Sequence, residues 1–309
     1  MTVKELTEEW LAQVKTQVKM RTYSRYRDVA TLHVYPVFGD RTAISVGKED
    51  VKKFLSEKSD AGNLKNGGRL SCSSLNSIFT VLSGAFGYAQ DCGIILSSPC
   101  AEIKKSAVKQ KKVEAFNVKE QKKIEKFIAD SGDVRLLGII ICLYTGLRIG
   151  ELLALEWEDV DFEYNVLKIN KTVGRIKDDD GVWLDYVDKP KSGASEREIP
   201  LAKKVSACFL KLKKRSRGKY VFTNKRGERL AIRSYQYIFA ALLKKIDVRQ
   251  LGFHSLRHTF ATRAVECGID LKTLSEIMGH ENPSVTMNLY VHSLWSTKKK
   301  AMDKLCKYF

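Results

Sequence analysis

A run of nine residues, Lys104 to Lys112, holds five lysines and no acidic residue. Such a segment has too little apolar surface to form a core, so we interpret it as a solvated linker. A plain tether and a segment that touches phosphates are both compatible with it. The linker leaves a shorter and a longer part of ordinary domain size. The 309-residue chain is therefore expected to form two domains, over residues 1–104 and 113–309, joined by residues 105–112.

The part before the linker shows only helical patterns. Apolar residues recur at every fourth position from Leu6 to Val18, and a second helix is expected around Tyr26 to Val34. A short third helix is expected over Asp50 to Ser56. A long fourth helix is expected over Ser71 to Cys92, and Gly93 brings it to an end. These patterns predict a small, all-helical domain.

The part after the linker changes from helical to strand patterns and back again. Asn117 is a candidate N-cap, Val134 to Tyr144 reads as a buried helix, and Gly146 to Leu153 starts another. Strand patterns follow at Val166–Val173, Val182–Val187 and Arg197–Leu201. Helices return over residues 203–215, 234–246, 255–267, 271–278, 284–290 and 297–308. The predicted fold class is mainly α, of the α+β type, with a small antiparallel sheet in the second domain.

The charge balance indicates the chemistry of the partner. Lys and Arg number 54 against 36 Asp and Glu, a net charge of +18. A field of this sign attracts polyanions, so nucleic acid is the leading partner, although a basic protein of unrelated function is also compatible. The seven cysteines are scattered without a C-x-x-C pair, which is typical of reduced thiols in the cytosol. Because no apolar run reaches the length of a membrane span, we expect neither export nor membrane insertion.

Four of the five histidines lie in the segment from His254 to His292. The same segment contains a pattern that is suited to phosphate binding. His254 and Arg257 stand at i and i+3, so on a helix they share one face and can reach the same ligand. Together with the phenol of Tyr290, these groups can hold a phosphodiester and attack it without a metal. DNA strand chemistry is therefore the first hypothesis.

Two alternatives apply to parts of this cluster. His254 and His258 could form a two-histidine metal face, but Ser255 stands where an H-E-x-x-H zinc site has its glutamate, which argues against it. Ordinary packing is an equally good interpretation of His258 and His292. Tyr290 by itself would also be a packing residue, and only its neighbours make it a candidate nucleophile.

Several of these segments resemble, in the same order, the sequence boxes of the tyrosine recombinases, or phage integrases. The similar segments are Thr145–Leu152 (first arginine box), Pro190–Ser192 with Arg197–Pro200 (lysine hairpin), His254–Thr262 (H-x-x-R box), Met278–His280 (third histidine) and Thr286–His292 (nucleophile box). The helical first domain is similar to the core-binding, SAM-like domain of that family. The resemblance thus covers nearly the whole chain.

The resemblance implies roles for groups that bind the scissile phosphate. Arg148 and Arg257 would clamp its non-bridging oxygens, where planar bidentate donors stabilise the transition state best. His254 would help the attacking phenol to lose its proton, and His280 would donate a hydrogen bond to the phosphate. Glu151 matches a supporting acidic position, which we interpret as a buried ion-pair partner.

The resemblance also implies the covalent chemistry. Tyr290 would form a 3′-phosphotyrosyl link, and Lys191 would protonate the 5′-oxygen that leaves. Lys189 is the alternative lysine, but the spacing to Arg197 favours Lys191. Because the covalent link conserves the energy of the phosphodiester, no cofactor is implied, neither ATP nor a metal ion.

The family resemblance further implies double-stranded DNA as the partner, held in a C-shaped clamp. The enzyme would act as a homo-tetramer on two DNA sites through a Holliday junction, with accessory DNA-bending or directionality proteins, in the bacterial cytoplasm at the nucleoid. The amphipathic tail, residues 297–309, would dock on a neighbouring protomer or on its own domain. The chain begins almost directly with core-binding helices, so a separate arm-binding module is expected to be missing.

Three other classes are compatible with parts of the pattern. A type IB topoisomerase would use similar residues as a monomer. A DNA-binding regulator would use the basic surface without catalysis. A metal-dependent phosphodiesterase would lose its activity in EDTA, whereas the recombinase chemistry would not. The resemblance favours integration or excision of a mobile element as the reaction, at a DNA target that is read through groove contacts.

Overall fold

The computed structural model describes residues 1–107, 114–178, 181–188, 196–216, 218–280, 302–303 and 305–306. Contacts between Cα atoms divide the chain into two units. The first unit comprises residues 1–110 and 175–184, and the second comprises residues 111–174 and 185–309. A short segment from the middle of the chain therefore belongs with the N-terminal unit. The boundaries 1–104, 105–112 and 113–309 stay a prediction.

The N-terminal part of the first unit is helical, as predicted. Its elements are α1 (Val3–Val14), α2 (Met20–Val29), a π-helical turn (Ala30–Val34), α3 (Tyr35–Phe38), a 3₁₀ turn (Ala43–Ser45), α4 (Lys48–Ala61) and α5 (Cys72–Asp91). A capping box between Thr2 and Glu5 starts α1, which ends at Val14, before the predicted Val18. The core forms where α1 packs against α5, with Leu6 and Phe86 fully buried.

Two polar side chains, one on α2 and one on α5, fix chain segments onto these helices through four hydrogen bonds. On α2, the Nη2 atom of Arg27 donates to the carbonyl oxygens of Lys177, at 3.0 Å, and Asp178, at 2.7 Å. On α5, the Asn76 amide nitrogen donates to the Ser106 carbonyl at 2.9 Å, and its amide oxygen accepts from the Ser106 N–H at 3.0 Å. The start of the lysine-rich run is thus held against α5, while residues 108–113 lie outside the described part of the chain.

The second unit is built around a buried helix. Its helices are α6 (Val118–Ser131), α7 (Leu137–Thr145), α8 (Ile149–Ala154), α9 (Lys203–Lys213), α10 (Ile232–Lys245), α11 (His254–Glu266) and α12 (Leu271–Met278). Helix α7 packs against both α9 and α11, and nearly all its residues are buried. Asn117 caps α6 in a capping box with Glu120, as the sequence predicts.

Two small antiparallel arrangements replace the single predicted sheet. Strands β1 (Val160–Asp161), β2 (Val166–Ile169) and β5 (Arg197–Pro200) form one, and β3 (Thr172–Lys177) pairs with β4 (Trp183–Asp188) in the other. In the first, Leu167 lies opposite Ile199. The prediction of one strand over Val166–Val173 was wrong, because β2 and β3 have different partners. The mainly α, α+β fold class is confirmed.

Some predicted elements cannot be compared with the structure. The helices predicted over residues 284–290 and 297–308 lie outside the described residues, apart from four positions in the tail. The same holds for Lys189, Lys191 and Tyr290. Within the described part of the chain, no helix is both long enough and apolar enough to span a membrane.

Candidate active site

Arg148 is placed at the start of α8 by a left-handed turn. Helix α7 ends at Thr145. Its C-cap residue, Gly146, has a φ of +68°, and a Cβ atom there would lie 2.5 Å from the Phe260 ring. Only glycine combines this backbone conformation with such close packing. The chain then turns into α8 with Arg148 as its N-cap, and the Arg148 N–H donates to Oε2 of Glu151 at 2.9 Å.

Arg257 lies inside the second unit, on the first turns of α11. It is 1% exposed and is the largest fully buried side chain among the described residues. Its Nη1 atom donates to the carbonyl of Gly146 at 2.8 Å, and its Nη2 atom donates to the carbonyl of Met278 at 2.7 Å. One guanidinium therefore joins the turn before α8 to the end of α12.

His280 follows a second left-handed turn, at the end of α12. Gly279 has a φ of +62°, and the His280 N–H donates to the Ser275 carbonyl at 3.0 Å. The Nη2 atom of Arg148 donates to the Gly279 carbonyl at 3.2 Å. Arg148 and Arg257 thus donate to two successive carbonyls immediately before His280, although they come from positions more than a hundred residues apart in the chain.

Glu151 forms ion pairs with two arginines of this site. Its side chain is 4% exposed, and its carboxylate lies 2.6 Å from Nη1 of Arg148 and 3.0 Å from Nη2 of Arg197. Burial alone would raise the pKa of Glu151, but Arg197, Arg148 and Arg257 hold it at about 2. Glu151 is therefore charged at neutral pH, and its interpretation as a buried ion-pair partner is confirmed.

The histidines of the site share one electrostatic environment. Burial, followed by the nearby positive charges, lowers the pKa of His254 below its usual value and the pKa of His280 to about 4. The rings of His254 and His258 meet edge to face, with centroids 4.5 Å apart, and burial together with His254 lowers the pKa of His258 to about 4. His254 and His280 are therefore neutral at pH 7, so that each can accept or donate a hydrogen bond.

The structure brings together four of the six predicted site residues. Arg148, His254, Arg257 and His280 share one site of the second unit, whereas Lys191 and Tyr290 lie outside the described residues. Arg197, which the sequence marked only as a reference for spacing, belongs to the same site. Among the residues that can be described, no three His, Cys, Asp or Glu side chains are grouped so that they could hold a metal ion.

Comparison with known families agrees with this geometry. The sequence profile of the phage integrase family matches residues 114–296, and that of the phage integrase N-terminal SAM-like domain matches residues 2–59. The two matches follow the order of the two predicted domains. The chain belongs to the phage integrase family.

Several known proteins align with most of this chain. A XerC-like tyrosine recombinase of Caldanaerobacter subterraneus is 29% identical over 77% of this chain and 67% of its own length. The ICEBs1 integrase of Bacillus subtilis is 26% identical over 96% of this chain and 80% of its own. Among solved structures, the Tn1549 transposon integrase in complex with a circular intermediate DNA superposes with a TM-score of 0.80 at 25% identity, covering 99% of both chains.

Proposed function

We propose that this protein is a site-specific DNA recombinase that integrates or excises a mobile genetic element. The observation that carries the proposal is the convergence of Arg148 and Arg257 on the carbonyls of Gly279 and Met278, directly before His280. Two guanidiniums and an imidazole next to each other form a receptor for a phosphodiester. The relatives named integrases, and the Tn1549 integrase bound to DNA, support the same conclusion.

The arginines would stabilise the pentacoordinate phosphate of the transition state. Charge develops on its non-bridging oxygens, and preorganised cationic donors are most effective there. The Arg148 side chain is 36% exposed, so solvent reaches it more easily than it reaches Arg257, which is 1% exposed. Arg257 would contribute its positive charge from a buried position. His280, which is neutral at pH 7, would donate one N–H to the same phosphate.

The covalent step exchanges one phosphoester bond for another. The phenolic oxygen of Tyr290 forms a bond to the scissile phosphorus as the bond from phosphorus to the 5′-oxygen breaks. The phenol proton passes to neutral His254, and Lys191 supplies a proton to the departing 5′-oxygen. The product is a 3′-phosphotyrosyl link, and attack by the 5′-hydroxyl of a partner strand reverses the step. Lys189 is the alternative proton donor.

The assembly is part of the proposal. Double-stranded DNA would be bound by a core-binding domain, residues 1–104, and by a catalytic domain, residues 113–309, and the lysine-rich linker would contact the DNA backbone. Four protomers would join two DNA sites in a Holliday junction, in the cytoplasm at the bacterial nucleoid. Accessory DNA-bending or directionality proteins would select between integration and excision. The net charge of +18 favours binding to duplex DNA.

A nicked suicide substrate that carries the native DNA site tests the chemistry. Wild-type protein should form an adduct that survives denaturation, and Tyr290→Phe should form none. Tyr237→Phe is the matched control, because Tyr237 is 61% exposed and lies on α10, outside the site. An adduct that persists in Tyr290→Phe, or that disappears in EDTA, would contradict the proposal.

A second experiment separates a recombinase from a topoisomerase. Relaxation of supercoiled plasmid without a paired target site would favour the topoisomerase, whereas strand exchange between two sites would favour the recombinase. Deletion of residues 297–309 should leave cleavage detectable and abolish exchange, because the tail is proposed to join neighbouring protomers. Unchanged exchange would contradict that role of the tail.

A further inference from the structure

Arg197 is almost completely enclosed at the edge of the candidate site. It is the first residue of β5, it pairs with Ile169 on β2, and its side chain is 6% exposed. Its Nε atom donates to the carbonyl of Ile277 at 2.6 Å, while its Nη1 and Nη2 atoms lie 3.3 and 3.0 Å from the carboxylate oxygens of Glu151. A single guanidinium therefore joins the sheet, α8 and α12.

The turn before His280 packs directly against Arg197. A Cβ atom added at Gly279 would lie 2.8 Å from Nη1 of Arg197 and 3.2 Å from its Cδ. A Cβ atom there would require the Arg197 guanidinium or the turn to shift, and the positive φ of Gly279 favours glycine independently. The position of the turn thus depends on the position of the Arg197 guanidinium.

These contacts close a ring that includes Arg148. Glu151 accepts from both Arg148 and Arg197, Arg148 donates to the Gly279 carbonyl, and Arg197 donates to the Ile277 carbonyl two residues earlier. A partly exposed arginine side chain otherwise samples many rotamers. The ring restricts Arg148 to the orientation in which it points at the turn before His280.

We propose that Arg197 is a positioning residue, which holds Arg148 and the turn before His280 in the arrangement that receives the scissile phosphate. The inference rests on the proposed function. Arginine is required at this position because a planar fork can donate to a carbonyl and to a carboxylate at once. A lysine offers one nitrogen and cannot reproduce both directions.

Single-turnover cleavage of the nicked DNA at saturating protein tests the proposal. Arg197→Met should slow adduct formation by about tenfold or more, because a misplaced Arg148 weakens the transition state. The dissociation constant for site DNA should change little, since Arg197 does not itself reach the phosphate. Arg197→Lys should restore part of the rate. Arg135→Met is the matched control, since Arg135 is a 63% exposed arginine of the same unit, and it should cleave like wild type.

A pH profile separates positioning from mere stabilisation of the fold. Burial and then Arg257, Arg148, His254 and Arg197 lower the pKa of His280. Loss of the Arg197 charge therefore raises that pKa, so the inflection of the His280 ring titration, followed by NMR, should move to higher pH in Arg197→Met and back in Arg197→Lys. A residue that acts only on stability would lower the folded fraction without moving the inflection.

Gly279→Ala provides a second variant that leaves Arg197 in place. The added Cβ atom must displace the guanidinium or the turn, so cleavage should slow as in Arg197→Met while DNA binding is kept. Wild-type cleavage rates in Arg197→Met and Gly279→Ala would overturn the inference. It would also be overturned if thermal melts of these two variants showed that unfolding explains their losses of rate fully. Failure of the wild-type protein to form any adduct would instead overturn the proposed function.

Discussion

Glu151→Gln should destabilise the second unit substantially while conserving its shape. The pKa of Glu151 is about 2, against 4.5 for an ordinary glutamate. Each pKa unit corresponds to about 1.36 kcal/mol, so the charge of Glu151 contributes on the order of 3 kcal/mol to folding at neutral pH. Removal of one partner from a buried ion pair costs about 3–5 kcal/mol, and the two estimates agree. We expect the free energy of unfolding to fall by about 3 kcal/mol.

The pH dependence identifies the charge as the cause. Because folding lowers the pKa of Glu151, its contribution is complete above about pH 4.5 and is lost as the pH falls through about 2. In urea denaturation, the free energies of unfolding of the wild type and Glu151→Gln should therefore differ at pH 7. This difference should shrink as the pH falls from about 4.5 to about 2. Thermal melts at pH 7 should show a loss of roughly 6–12 °C in Tm for a unit of this size.

Glu163→Gln is the control for this experiment. Glu163 is an exposed glutamate of the same unit, and its substitution should change the free energy of unfolding by no more than about 0.5 kcal/mol. A loss below about 1 kcal/mol in Glu151→Gln at pH 7, or a loss that persists unchanged under acidic conditions, would refute the argument. In that case the arginines around Glu151 would not depend on its charge.

Three further results are expected. Gly146→Ala should lower the free energy of unfolding by about 1–3 kcal/mol, because it places a Cβ atom at a positive φ and against Phe260. Thermal melts should show the loss as a lower Tm, and an unchanged Tm would contradict this. The acidic inflection of cleavage that reports His254 should lie below pH 6.5, since burial, Arg257 and Arg148 lower its pKa; an inflection above that value in single-turnover rates would disagree. Asn117→Ala should cost about 1 kcal/mol in urea denaturation through loss of the N-cap of α6, and Asn117→Ser should recover most of it.

Local chemistry made most helices predictable from the sequence. Helix α12 has the predicted bounds Leu271–Met278, because an N-cap aspartate and a C-terminal glycine mark its two ends. Helix α5 likewise begins after Ser71 and ends before Cys92. Helix α4 extends from Lys48 to Ala61, well beyond the predicted 50–56, since its exposed charged residues hide the periodicity.

Long-range pairing was harder to predict. The apolar run from Val166 to Val173 has one sequence pattern but supplies two strands, and the choice depends on β5 and β4, which come later in the chain. The same reason applies to Arg197. Its partners Glu151 and Ile277 lie 46 and 80 positions away, so spacing alone could not reveal the ion pair. By contrast, the sequence could single out Arg148, His254, Arg257 and His280 as candidates, because each stands in a box of recognisable local pattern.

The entry of the chain into the second unit determines how the protein can be dissected. Phe116 is 1% exposed, its N–H donates to the Thr259 hydroxyl at 2.9 Å, and its carbonyl accepts from Nη2 of Arg263 at 2.9 Å. A fragment that starts after Phe116 would leave a hole in the core and uncover two polar groups of α11. An expression fragment of the catalytic part therefore has to begin at or before Ala115, and a protease cut between Ser106 and Ala115 would leave α11 fully packed.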